Sequence, residues 1–276
     1  MHKIHMKIIQ VKSAFVNSCF RKVLIFAIII FSSMRVLEVV DVHKEFGGIK
    51  ALNGVSFEVN KGEVFFLVGA NGAGKSTLLN VITNFYSPSK GFVKINGAKT
   101  SGLPPYDKRL RGIRRSFQIP QLWLKITVLE NLLVPCFAKE NLDEKQAYEL
   151  AIETLKEFNL ENIAHKKANT LSGGQAKLVD TLRALIGDPL LVVLDEPFAG
   201  VSPASTQKLL LKIKQKSSSG TTFLIVTHVF SSVLQIADKI GVMDQGRLIA
   251  QGEPEKVLKE KNVIEAFMGV IHESTN

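Results

Sequence analysis

Apolar residues follow two rhythms along this chain. Unbroken apolar runs at Val64–Val68, Leu190–Leu194 and Phe223–Val226 have no polar face and predict strands buried on both sides. Between them lie helix-compatible stretches, at 76–82, near 174–186 and near 204–216. Apolar runs alternating with helices predict a parallel sheet with helices on both faces. Upstream the rhythm is different. Residues 36–42 and 54–59 read as strands, the second by the alternation of Val55, Phe57 and Val59, with Gly47-Gly48 and Asn60-Lys61-Gly62 as turns. Phe92–Ile95 running into Asn96-Gly97 reads as a strand entering a tight turn. From Pro120 to about Leu160, Ala147, Leu150, Ala151, Leu155 and Phe158 recur at helical spacing among Glu and Lys. This predicts a mostly helical lobe inserted into the α/β core.

The chemistry gathers at the ends of these runs. GANGAGKST, residues 69–77, directly follows the first apolar run and opens the first helix. In that strand–loop–helix setting G-x-x-x-x-G-K-[ST] predicts a phosphate cradle. Gly69, Gly72 and Gly74 let backbone N–H groups turn toward an anion at which the helix's positive end also points. Lys75 adds a cation for the β- and γ-phosphates, and the Ser76 hydroxyl is a candidate Mg²⁺ ligand. Asn71, Ala73 and Thr77 complete the candidate nucleotide contacts.

A second signal is Leu191-Val192-Val193-Leu194-Asp195-Glu196-Pro197, a buried strand ending in two carboxylates. The C-terminal edge of a parallel sheet is where the phosphate loop also lies. Asp195 is therefore a candidate for the metal shell and Glu196 for taking a proton from attacking water. A third is Leu171-Ser172-Gly173-Gly174-Gln175, a capped helix start with bare backbone amides, which alone does not say whose phosphate it binds.

Composition narrows the class. The formal net charge is +10, but residues 1–33 hold five basic and no acidic residues, so the remaining 243 carry only +5. That balance argues against a nucleic-acid platform. Cys19 and Cys136 form no spacing pattern, which excludes a disulfide framework. After Arg21-Lys22, the nine apolar residues Val23–Phe31 are too few to span a bilayer, which needs about 20. They fit a secretory signal, in conflict with a site for intracellular nucleotide. Met34 opens what reads as a natural domain start, so 1–33 is expected to be an untranslated upstream extension or a loosely membrane-associated tail.

LSGGQ placed between a phosphate loop and LDEP resembles the nucleotide-binding subunits of ABC transporters over about residues 35–270. The resemblance implies an α/β P-loop NTPase (RecA-like) core, an N-terminal antiparallel β subdomain and an inserted helical subdomain at about 119–185. The ATPase domain would then occupy 34–270, with 271–276 as a tail. It implies ATP and Mg²⁺ as cofactors, and that Ser172, Gly173 and Gly174 contact ATP held by a second ATPase subunit. Gln118, in Arg115-Ser116-Phe117-Gln118, matches the family's glutamine loop, a γ-phosphate and Mg²⁺ sensor. His228 matches the switch histidine, and Phe46 the aromatic that stacks on adenine. The sequence departs from the family pattern at Ser202, at Val229 and at Ala176-Lys177-Leu178, but at no catalytic position.

Finer resemblance, in Arg115–Pro120, Thr127–Asn131 and the tail from Ile249–Gly252 through Val263–Gly269, is to the ATPases of branched-chain amino acid importers. The turn Glu196–Gly200 also resembles the lipopolysaccharide-export ATPase. The expected partners are two transmembrane permeases and, indirectly, a substrate-binding protein, at the cytoplasmic face of the membrane. A non-transport ABC ATPase is the remaining alternative, although such chains usually carry two cassettes or a long coiled-coil insertion.

Overall fold

The structure is a computed structural model that describes residues 34–110, 112–139, 142–228 and 234–266. The extension 1–33 and the tail 271–276 lie outside the described residues, as does Val229. The chain divides into Met1–Met34 and Arg35–Asn276, and the second unit is the one described below.

The N-terminal half starts with a long hairpin, β1 (Arg35–Phe46) and β2 (Ile49–Asn60), followed by β3 (Val64–Gly69) and α1 (Lys75–Ile82). Then come β4 (Lys90–Ile95), β5 (Ala98–Lys99), α2 (Pro105–Leu110) and β6 (Ile113–Arg115). Helices α3 (Val128–Lys139) and α4 (Glu144–Glu157) form the helical segment, and α5 (Gly173–Leu185) leads back to the core. The remainder is β7 (Leu191–Asp195), α6 (Pro203–Ser218), β8 (Thr222–Val226), β9 (Lys239–Asp244), β10 (Arg247–Gly252) and α7 (Pro254–Val257).

Two sheets result. One is antiparallel, in the order β2-β1-β4-β5. The other has the order β10-β9-β3-β8-β7-β6, parallel except for β10 at its edge. The apolar runs are continuous because each strand feeds two cores. Val64, Phe66, Val192, Leu194, Phe223 and Ile225 face a core shared with α3, α4, α5 and α6. Phe65, Leu67, Leu191, Val193, Leu224 and Val226 face α1 and the β1–β2 hairpin. Successive residues of a strand point to opposite faces, so a sheet covered on both sides leaves no position for a polar residue.

The hairpin is longer than the 36–42 and 54–59 segments read from the sequence. Its register shifts between Val39 and Val42, and Asp41 sits at φ 46°, so the period-2 pattern breaks in mid-strand. Within β2 the alternation does hold, with Val55, Phe57 and Val59 buried and Gly54, Ser56 and Glu58 exposed. The helix starts use local caps. Asp143 with Gln146 and Ser172 with Gln175 form reciprocal capping boxes, and Ser202 caps α6 ahead of Pro203.

Candidate functional site

Strands β3, β7 and β8 end side by side, and the segments leaving them enclose a cleft of about 280 Å³. Asn71, Gly72, Gly74, Lys75, Ser76, Thr77, Gln118, Asp195 and Glu196 line it, drawn from three separate stretches of chain. Ala51 of β2 and Val226 also line it and carry no sequence signal for this role. The phosphate loop is held against β2. Gly74, at φ 96°, is the residue before α1, and a Cβ there would lie 2.6 Å from the Ala51 carbonyl oxygen. A left-handed residue at a helix start turns successive N–H groups into one concavity, an anion nest.

Lys75 Nζ donates to the carbonyls of Gly69 and Ala70 at 2.8 and 2.7 Å, which ties its ammonium over the loop. Burial pulls its pKa below the usual lysine range, while Glu196 and then Asp195 pull it back up.

Asp195 is 3% exposed. Burial raises its pKa, opposed first by Arg115, then by Lys177, with Lys75 a smaller opposing charge. Burial leaves this carboxylate poorly hydrated, and a poorly hydrated carboxylate suits a divalent ion's coordination sphere. The Ser76 hydroxyl, the Gln118 amide and the Asp195 carboxylate converge on one cleft, an oxygen donor set that fits Mg²⁺ sharing a nucleotide's phosphates. Among the described residues no cluster of three or more His, Cys, Asp or Glu offers an all-protein metal cage.

Glu196 follows in the left-handed region, at φ 49°. That is uncommon for a residue with a Cβ and costs on the order of 1 kcal/mol or more. The strained backbone is held by its amide donating to Val226 O at 2.9 Å. Oε1 lies 3.0 Å from His228 Nδ1, and Oε2 accepts from the His228 backbone N–H at 3.4 Å. The carboxylate is thus oriented by one residue of the neighbouring strand end, with the histidine ring itself mostly in solvent.

The other residues expected at the site stand outside the cleft lining. Phe46, at the hairpin tip, packs edge-to-face on Tyr86 at 5.2 Å with Lys44 Nζ 4.8 Å from its ring. Gly69 and Ala73 belong to the loop's backbone turn rather than to the cleft wall. Ser172 and Gly173 are exposed at the start of α5. Ser172 Oγ accepts from Gln175 N at 3.3 Å, so its hydroxyl proton stays available for an anion. A Cβ on Gly174 would run into the Gly200 carbonyl, whereas one on Gly173 meets nothing within 4 Å. Gly174→Ala is therefore expected to lower stability by about 1–3 kcal/mol, with Gly173→Ala close to neutral; urea unfolding midpoints check the pair.

Two polar residues of α5 have a role that the motif reading did not assign. Lys177, 3% exposed, donates to the carbonyls of Phe117 (2.7 Å), Gln118 (3.1 Å) and Asp195 (2.7 Å). Asp180, fully buried, accepts from the Phe117 amide at 3.2 Å and from Arg183 at 2.6 Å. One turn of the LSGGQ helix therefore grips the Gln118 loop by both carbonyls and amide. The signal lay in the spacing: Lys177, Asp180, Thr181 and Ala184 are all buried at i, i+3, i+4 and i+7.

A glycine-rich loop between a parallel strand and a helix, with a lysine over it and a carboxylate at the end of the next strand but one, defines a P-loop nucleotide-binding protein. Comparison with known proteins narrows this further. Residues 52–199 match the model of the ABC transporter family, and the chain belongs to that family. It is 37% identical over 247 residues to a probable branched-chain amino acid transport ATP-binding protein of Archaeoglobus fulgidus, covering 86% of this chain and 96% of that protein. It is 32% identical over 236 residues to the lipopolysaccharide export system ATP-binding protein of Haemophilus influenzae, with 86% and 98% covered. A solved ATP-binding cassette, dimeric in a post-hydrolysis state with ADP and Pi bound, superposes with a TM-score of 0.73 at 29% identity, over 79% of this chain and 98% of that one. The α/β P-loop core with its antiparallel β subdomain is thus borne out, and the chain is an ABC-type ATPase.

Proposed function

We propose that this chain hydrolyses ATP to power an importer for branched-chain or related hydrophobic amino acids. The observation that carries the reading is the division of the motifs. Phosphate loop, Asp195, Glu196 and Gln118 share one cleft, while Ser172 and Gly173 present an anion-binding helix end to solvent elsewhere. Two copies, or this chain and a paralogue, complete each other's sites, with Ser172, Gly173 and Gly174 of one meeting the γ-phosphate held by the other.

In each site the loop amides and Lys75 hold the phosphates, and Phe46 stacks on the adenine. Ser76, Gln118 and Asp195 would hold Mg²⁺, which would supply positive charge to the phosphates during transfer. Glu196 takes the proton of the attacking water, and His228 keeps that carboxylate aimed and reaches the γ-phosphate. Charge on the transferring group is met by Lys75 and backbone amides.

Force leaves through a second cavity. A groove of about 490 Å³ runs between α2, β6 and α3, walled by Tyr106, Phe117, Trp123 and Val134 together with Arg114 and Arg183. Among the described residues that line it, none is acidic. An apolar, arginine-edged groove suits a short cytoplasmic helix of a permease that carries a carboxylate. Among the described residues no helix is long and apolar enough to cross a membrane.

Uptake of labelled leucine, isoleucine and valine is the test, in cells lacking this chain and in the same cells given it back. Uptake falls on deletion and returns with the parent chain but not with Glu196→Gln. Unchanged uptake alongside a loss of surface lipopolysaccharide would favour the exporter reading, which the similarity to the Haemophilus protein keeps in play.

A further inference from the structure

Arg115 connects the groove to the nucleotide cleft. Arg115 lines the groove, and its Nη2 lies 3.7 Å from Oδ2 of Asp195 in the cleft, both side chains being under a tenth exposed. Its Nη1 donates to Asn80 Oδ1 at 2.8 Å and Thr83 Oγ1 at 2.6 Å, on and just beyond the helix that starts at the phosphate loop. The guanidinium lies over the Phe117 ring at 4.6 Å and the Phe85 ring at 5.4 Å, and the two rings meet edge-to-face at 5.5 Å. Phe85 and Phe117 are groove walls, and Phe117 precedes Gln118.

Two features distinguish this from a rigid structural pair. The contact to Asp195 is an ion pair longer than a hydrogen bond. The Nε–H of Arg115 is buried with no acceptor among the described residues. A buried guanidinium that leaves a donor unmet and holds its carboxylate loosely has not reached its best-bonded arrangement, and a shift of either neighbour changes its bonding.

We propose that Arg115 is a positioning residue through which the groove and the Asp195 carboxylate sense each other. When Mg²⁺-nucleotide draws on Asp195, the guanidinium loses part of its anion and re-seats against Phe85 and Phe117, which reshapes the groove. A helix seated in the groove presses on the same rings and resets Asp195 in return. Arginine suits the task because its plane stacks on rings while its fork reaches a carboxylate, which lysine cannot do at once. The inference rests on the proposed roles of the groove and of Asp195.

Trp123, the only tryptophan of the chain, lines the same groove and is half exposed, so its emission reports on groove shape. The experiment titrates Mg²⁺ into the full chain saturated with ADP, which needs neither turnover nor a permease. Trp123 emission is expected to shift on Mg²⁺ addition in the parent and to lose that shift in Arg115→Met, with ADP affinity by calorimetry within about threefold. Arg115→Lys is expected to retain less than half of it, and decides the matter if the Met variant does not fold. A full shift in either folded variant, its persistence in Asp195→Asn, or its absence from the parent would overturn the proposal. Such a failure would leave the importer reading intact, because uptake tests that separately.

Discussion

Glu196→Gln is expected to lower ATP turnover by about 10²–10⁴-fold, the usual worth of a positioned general base, while ATP still binds. The geometry makes the separation clean. Oε1 and Oε2 contact only the ring and amide of His228 among the described partners, and the amide oxygen of glutamine can still accept one of these hydrogen bonds. The φ of 49° is a backbone property that glutamine shares, and the substitution keeps volume. Only the ability to take a proton is removed. With hydrolysis blocked, the closed ATP-bound pair cannot reset, so the variant should accumulate as a dimer in ATP and fall apart when ATP is removed. Sedimentation with and without ATP, beside single-turnover hydrolysis, checks both halves.

Lys75→Ala should act at the earlier step and weaken ATP binding itself. A hydrogen bond to a charged group contributes about 1.5–3 kcal/mol, which corresponds to roughly 10- to 150-fold in affinity. A second effect adds to this. Lys75 spans the loop to the carbonyls of Gly69 and Ala70, so its removal also loosens the nest that holds the phosphates. Equilibrium binding of a fluorescent ATP analogue reads the loss. Lys75→Arg, which restores charge without the compact head, should recover little of it.

Much of this architecture was legible before any coordinates. The buried strands announced themselves as runs with no polar face, and the two-sided core behind Phe65/Phe66 and Leu224/Ile225 explains why. The phosphate loop and the LDEP turn were legible because each carries its chemistry in consecutive residues. What stayed hidden was short or irregular. β6 is three residues long and two of them are arginines, so no apolar rhythm marks it. The outer half of the β1–β2 hairpin was lost at the Asp41 irregularity. β9 and β10 were not read as strands, although Ile249–Gly252 of β10 was noted for its resemblance.

The hidden part of the site has a different cause. Lys177 looked like a departure from a polar pattern, and its three carbonyl partners come from two distant segments. Arg115 read as one letter of a motif, although its neighbours Asn80 and Phe85 lie on one distant stretch of chain and Asp195 on another. Ties of that kind are properties of the packed structure, and local spacing does not encode them. His228 and Gln118 were found only through family resemblance, since neither has a local pattern of its own.

The central claim is that each ATP is held between two subunits, one giving Lys75 and the other the Ser172–Gly174 helix end. The most direct measurement mixes two inactive proteins, Lys75→Ala and a Gly173→Asp variant that places a negative charge where the partner's phosphate should sit. A pair formed from one of each contains one whole site, built from the intact phosphate loop of one chain and the intact helix end of the other. Turnover should reappear in the mixture although neither protein hydrolyses ATP alone. A mixture as inactive as its parts, with parent turnover per chain unchanged on dilution, would contradict it.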